Sequence, residues 1–209
     1  MVAGKRRIDY FEILIKLSRY ACSAARELNE LLRCWSADAA AGKLQRIHII
    51  RQAAGREQSA MVKQLAEEFI TRTEREDILR LSGEINGITE KTEEVVRKFC
   101  LYRIKKRYDD ILPCAAGLLK ETEAVSRIFA ALADFKKKPC RVEESIEAFR
   151  VLYEEEKEYY AVATRSLFEK TSDAVLLLKW DNIFRQLAQC SESCKTAADI
   201  VEYTVMKNS

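Results

Sequence analysis

Apolar side chains recur along this chain at alternating spacings of three and four residues, which is the pattern of amphipathic helices. The first row of such positions runs from Tyr10 to Trp35 and predicts one long helix. A second helix is predicted to start at 36–38 and to reach Phe69. Its inner row consists of Ile47, Ile50, Ala54, Met61, Leu65 and Phe69.

Four further rows predict four further helices. The third is expected to continue to about Lys106, and Asp109 and Asp110 open the fourth. The segment 136–139 stops the fourth helix because its proline cannot continue one, and the sixth helix starts near Ser172. The inner rows of helices three to six run from Ile78 to Phe99, from Ile111 to Leu132, from Ile146 to Leu167 and from Leu176 to Thr204.

These rows predict an all-α fold, an elongated antiparallel bundle of about six long helices. A helix of ~30 residues spans ~45 Å, so helices joined by short loops must lie side by side. Helices one to three and four to six have similar lengths, and Phe69 and Phe168 each precede the turn into the last helix of a half. We therefore expect one domain, 1–209, built from tandem three-helix units at about 8–107 and about 109–206.

The composition fits long helices and argues against several classes of protein. Only 6 Gly and 2 Pro interrupt the 209 residues, of which 33% are charged and 48% hydrophobic. A formal charge of +3 is too small to indicate nucleic-acid binding as the main activity. Basic runs at 5–7, 103–107 and 136–138 are interpreted as solvated helix ends and loops, with contact to an anionic membrane surface as the alternative.

Cysteine usage and hydropathy predict a cytoplasmic protein without a transmembrane segment. The seven cysteines are odd in number and lack the paired spacing of a zinc module, as expected of reduced thiols. Asp9, Glu12 and Lys16 interrupt the start of the chain, so no signal peptide is expected. No uncharged apolar stretch approaches the ~18 residues of a membrane-spanning helix.

Acidic side chains provide the best candidate for a binding site. Glu90 and Glu94 lie one helical turn apart, as two ligands of a hard cation would, although a solvated helix face is the simpler interpretation. The glutamate-rich segment 154–158 is interpreted as facing solvent. Cys190 and Cys194 are also one turn apart and are interpreted as buried small hydrophobes, with soft-metal binding or oxidant sensing as the alternative.

Nothing in the sequence predicts an enzyme. His48 is the only histidine, which excludes multi-histidine zinc sites and makes a histidine-dependent nucleophile hard to assemble. No glycine-rich phosphate loop is present, so nucleotide binding has no support. We therefore predict no catalytic residue and no organic cofactor.

Five segments of the chain carry a family resemblance: Ile47-His48, Phe69-Ile70-Thr71, Arg75-Glu76-Asp77-Ile78, Leu178-Lys179-Trp180 and Val205-Met206-Lys207-Asn208-Ser209. Together they resemble the PhoU-like family, and more narrowly its branch encoded beside Pit-type low-affinity phosphate transporters. The resemblance covers nearly the whole chain and is most specific between Phe69 and Ile78. It implies a regulator or accessory protein of inorganic phosphate transport that contacts a transporter at the cytoplasmic membrane face, and it leaves a homo-oligomer open.

Many members of that family bind multinuclear metal clusters through pairs of acidic residues four positions apart. The resemblance places this chain's candidate metal ligands at Glu90, Glu94 and Glu192, with Glu154 as a further candidate beside a family position. The family's other acidic positions fall on Arg51, Gly55, Lys157 and Thr196. Because arginine and lysine repel a cation, we expect a divalent or ferric ion to bind weakly or not at all.

Three hypotheses about function follow. The leading one is a non-enzymatic PhoU-like protein of phosphate transport that acts by protein contact. The second is a helical protein that binds a metal cluster at its surface. The third is a helical scaffold that has diverged and now binds another partner, which an exposed apolar patch or a basic face would favour.

Overall fold

The computed structural model describes residues 9–68, 72–135 and 137–207, and these form helices without a strand. The predicted all-α bundle is confirmed, and each predicted inner row lies mainly on the buried side of its helix. Phe69, the last position predicted for the second row, lies outside the described residues. The helices are α1 Tyr10–Arg33, α2 Ala37–Glu67, α3 Arg72–Leu101, α4 Ile111–Ala133, α5 Cys140–Lys170 and α6 Ala174–Lys207.

Local side-chain contacts determine where two helices begin. The Asp9 carboxylate accepts a hydrogen bond from the Phe11 amide at 2.9 Å and so caps α1. Asp173 caps α6 in the same way, through the amide of Val175 at 2.9 Å. Asp110 precedes α4 but does not cap it. Its carboxylate accepts instead from the Ser166 hydroxyl at 2.7 Å, which ties the start of α4 to the end of α5.

The third helix ends earlier than predicted, at Leu101 rather than at about Lys106. Arg103 adopts φ 51°, a left-handed conformation that stops the helix. The amide of Ile104 then donates to the Phe99 carbonyl at 3.1 Å, and that of Arg103 donates to Cys100 at 3.1 Å. This is a Schellman motif, and it turns Ile104 back into the core, where only 5% of the residue is exposed.

The helices pack as two sets that share one core. Helices α1, α2 and α3 contact one another, as do α4, α5 and α6, and the sets meet where α1 lies on α4 and α3 lies on α6. The division into tandem units at about 8–107 and 109–206 stays a prediction. Phe168, one half of the proposed sequence echo, is 59% exposed at the end of α5.

An aromatic cluster holds one end of the bundle together. The ring of Phe99 on α3 lies 5.2 Å from that of Trp35 and 5.8 Å from that of Trp180 on α6. Tyr108 and Phe184 extend the cluster from Trp180, at 5.8 Å and 6.0 Å between ring centroids. None of the helices described above is long and apolar enough to cross a membrane.

Candidate functional site

The two predicted ligands on α3 already have protein partners. Glu90 is exposed and accepts a hydrogen bond from the side-chain amide of Asn86 at 3.0 Å. Glu94, whose side chain is 41% exposed, forms an ion pair with Arg97 at 3.0 Å. The predicted pair is therefore present on α3, but one of its carboxylates is neutralised by an arginine.

The two predicted ligands in the second half of the chain also have partners. Glu192 on α6 accepts a hydrogen bond from the Tyr153 hydroxyl at 2.6 Å, and the Thr196 hydroxyl bonds the main chain of Glu192 at 2.9 Å. Glu154 is exposed on α5, with its carboxylate 3.6 Å from the ammonium of Lys157. Across the described ranges, no three histidine, cysteine, aspartate or glutamate side chains are placed to hold a metal ion. The four predicted ligands are thus not gathered into one such group, and the ligand assignment stays a prediction.

Glu93 is the centre of a charged cluster between α2 and α3. Its side chain is only 2% exposed, unlike its exposed neighbour Glu90. Arg97 donates to it at 2.7 Å, and Arg51 forms an ion pair with its second oxygen. The ring of His48 lies 3.0 Å from Glu93 through Nδ1 and 2.8 Å from the Gln52 amide through Nε2. Gln52 therefore supplies the donor at Nε2, and the proton on Nδ1 points to Glu93.

The cluster explains what the arginine at position 51 does. Burying a carboxylate is costly unless opposite charges lie beside it, and two guanidinium groups do so for Glu93. Arg97 donates a hydrogen bond to one oxygen, whereas Arg51 offsets the charge of the second oxygen, which accepts no hydrogen bond among the described residues. Arg51 thus places a positive charge from α2 against the side of α3 that carries Glu93. Beyond it, Gly55 has open space around its Cα, and a shallow groove continues past Arg56 and Lys63. This part of α2 offers cationic rather than anionic side chains.

A second set of buried acidic groups lies among α4, α5 and α6. Glu121 is fully buried, and one oxygen accepts from the Ser191 hydroxyl at 2.6 Å. Glu156 is 1% exposed and pairs with the ammonium of Lys120 at 2.9 Å. The second oxygen of each carboxylate has no hydrogen-bond partner among the described residues. Gly117 allows this packing, because a methyl group there would overlap the carboxylate of Glu156.

Burial changes the ionisation of Glu121. The pKa of Glu121 is raised to about 8, and desolvation by burial is the largest cause. The hydrogen bond from Ser191 opposes the shift, and the nearby charge of Glu156 adds to it. Glu121 therefore carries a proton at neutral pH. A neutral carboxylic acid can remain buried with one oxygen unpaired at far lower cost than a carboxylate.

Sequence reasoning missed Glu156 and misplaced it in a solvent-facing run. It lies on the inner row of α5, seven residues after Phe149 and seven before Ala163, both of which are buried. Seven residues are two helical turns, so this spacing could have identified Glu156 as a core position. The sequence interpretation placed Glu156 in solvent because of its negative charge, although its position on the helix indicated burial.

The cysteine pair of α6 lies in the core. Cys190 and Cys194 are both fully buried, and burial raises the pKa of the Cys190 thiol to about 12. Burial also raises the pKa of Cys194 well above its ordinary value. Because a thiolate is the form that binds metals and reacts with oxidants, the packing favours the interpretation as small hydrophobes.

The chain matches no protein-family model. It is 23% identical over 155 residues to the UPF0111 protein YkaA of Bacillus subtilis (strain 168), a match that covers 71% of each chain.

Two solved structures from Shewanella oneidensis MR-1 share the fold. One is a PhoU-like protein with a TM-score of 0.83 and 13% identity, covering 94% of this chain and 99% of its own. The other is a PhoU-like phosphate regulatory protein with a TM-score of 0.82 and 13% identity, covering 95% of this chain and 100% of its own. At this identity the likeness establishes the fold, which is PhoU-like.

Proposed function

We propose that this chain is a PhoU-like regulatory or accessory protein of inorganic phosphate transport that acts by protein contact rather than by catalysis. One observation carries the proposal: PhoU-like structures, one of them a phosphate regulatory protein, superpose on 94% and 95% of the chain. The partner is a phosphate transporter met at the cytoplasmic membrane face, and the Pit-type branch is the narrower assignment.

The local chemistry of the bundle supports contact as the mode of action. The carboxylates of α3 nearest to α2 are engaged by Arg51 and Arg97, so protein groups occupy the charges that a cation would need. His48 bonds Glu93 and Gln52 rather than a hydroxyl or thiol that it could activate. These contacts favour a surface that recognises a partner over one that performs chemistry.

The experiment has two readouts in the source organism. Deletion of the gene should change the initial rate of radiolabelled phosphate uptake, and the intact gene in trans should restore it. A tagged copy, crosslinked in cells and purified, should recover a phosphate permease. Unchanged uptake together with the absence of any permease would refute the proposal, and capture of an unrelated protein in its place would favour a diverged scaffold.

A further inference from the structure

An open groove lies between the first half of α5 and the end of α6. Its volume is about 900 Å³, and its apolar floor includes Ile146, Val151 and Met206. Val151 is 55% exposed and Met206 is 74% exposed. Large apolar side chains that stay in water around a concave surface are typical of a site that a partner covers.

The rim of this α5–α6 groove is acidic. Among the described residues, its lining contains one cation, Arg150, and four carboxylates, those of Glu143, Glu144, Glu147 and Glu202. Arg150 is shared between Glu202 at 2.5 Å and Glu147 at 3.6 Å. Glu143 and Glu144 form no ion pair within the described residues, so the negative charge beside the apolar floor remains largely uncompensated. The groove thus combines a hydrophobic floor with acidic walls.

We infer that the α5–α6 groove binds a basic amphipathic helix of a partner protein. A groove between two helices accommodates the apolar face of a third, and acidic walls select lysine and arginine on its flanks. The identity of the partner rests on the proposed function. Cytoplasmic segments of membrane proteins carry an excess of lysine and arginine, so a transporter offers this chemistry on the side that a cytoplasmic regulator meets.

The binding test uses the purified full chain and three fluorescent peptides. The probe is a helical 14-residue peptide of leucine and lysine in amphipathic order. In the second peptide serine replaces leucine, and in the third glutamate replaces lysine. Fluorescence polarisation should detect saturable binding of the leucine–lysine peptide alone, because only that peptide matches both the floor and the walls.

Matched variants locate the binding. Glu143→Lys combined with Glu144→Lys should weaken the affinity for the leucine–lysine peptide by about tenfold or more. Glu155→Lys combined with Glu158→Lys makes the same change in net charge on exposed positions of the same helix, and should change the affinity less than about twofold. A third variant, Met206→Ser, keeps the charge and should also weaken binding. Circular dichroism verifies that each variant folds.

Several results would overturn the inference. Equal weakening by Glu143→Lys with Glu144→Lys and by Glu155→Lys with Glu158→Lys would show that the peptide binds by non-specific charge attraction. Equal binding of the serine–lysine and leucine–lysine peptides would show that the apolar floor does not contribute. A dimer in sedimentation that Glu143→Lys with Glu144→Lys dissociates, without peptide binding, would assign the groove to a second copy of the chain.

Uptake assays separate this inference from the proposed function. Groove-dependent peptide binding, with unchanged phosphate uptake after gene deletion and no permease recovered by crosslinking, would refute the phosphate role and leave the groove assignment intact. If deletion instead alters phosphate uptake, a gene that carries Glu143→Lys with Glu144→Lys either restores it in full or does not. Full restoration would refute the role of the groove in partner binding and leave the phosphate role intact.

Discussion

Replacing Glu121 by glutamine should make the stability of the protein less sensitive to alkaline pH. Glutamine has the shape of a protonated glutamate, and its side-chain oxygen can still accept the hydrogen bond that Ser191 donates at 2.6 Å. It removes only the ionisation. The substitution therefore isolates the free-energy change that accompanies loss of the buried proton.

The magnitude follows from the shift in pKa. Folding raises the pKa of Glu121 from its ordinary value of 4.5 to about 8. Below about pH 4.5 both the folded and the unfolded chain hold the proton, and the contribution to stability is fully present. Between these two values only the folded chain holds it, so stability falls by about 1.4 kcal/mol per pH unit. Above about pH 8 the contribution is lost.

The assay is urea unfolding followed by circular dichroism between pH 5 and pH 9. The free energy of unfolding of Glu121→Gln minus that of the unmodified protein should rise by about 4 kcal/mol across this range. Other groups titrate equally in both proteins and cancel in the difference. Glu123→Gln, at a side chain that is 42% exposed on the same helix, provides the control. A difference that stays level from pH 5 to pH 9 would show that Glu121 is ionised in the fold.

Four further variants test other parts of the structure. Arg103→Gly should raise the free energy of unfolding by about 0.5–1 kcal/mol, measured from urea midpoints, because glycine adopts the left-handed conformation without strain. Gly117→Ala should lower the free energy of unfolding by about 1–3 kcal/mol, because the new methyl group would overlap the carboxylate of Glu156 on α5. Gly83→Ala, in open space on α3, should raise it by about 0.5–1 kcal/mol. Arg51→Glu with Gly55→Asp should bind more of a divalent or ferric ion than the unmodified protein, for which we expect weak binding or none, as read by elemental analysis of both.

The opposite outcomes are equally informative. A loss of stability in Arg103→Gly would mean that contacts of the arginine side chain stabilise the fold by more than the left-handed conformation of Arg103 destabilises it. Similar effects of Gly117→Ala and Gly83→Ala would show that Glu156 does not need the space at Gly117. A folded Arg51 and Gly55 double variant without metal would refute the residue correspondence that the family resemblance implies.

The sequence predicted the helices well because amphipathic spacing is a local property. Each helix buries one face, and positions such as Leu14 and Leu28 are buried because they recur on that face. The end of α3 was harder to predict from the sequence, since the residue in the left-handed conformation is Arg103 rather than the glycine that usually marks such an end.

The buried charges were harder to predict because their partners lie far away in sequence. Glu93 is stabilised by His48 and Arg51, which are more than forty residues earlier on another helix. No spacing rule on α3 alone distinguishes it from exposed Glu90. Glu121 poses the same problem, because its partner Ser191 lies 70 residues later in the chain, on α6.

The aromatic cluster makes the intrinsic fluorescence of the protein a local optical reporter. Both tryptophans of the chain, Trp35 and Trp180, lie against Phe99, and no other part of the bundle emits as tryptophan does. Fluorescence therefore monitors the junction of α1, α3 and α6 at one end, while circular dichroism averages over all helices. A fluorescence transition that precedes the dichroism transition would reveal that the bundle opens from the tryptophan end.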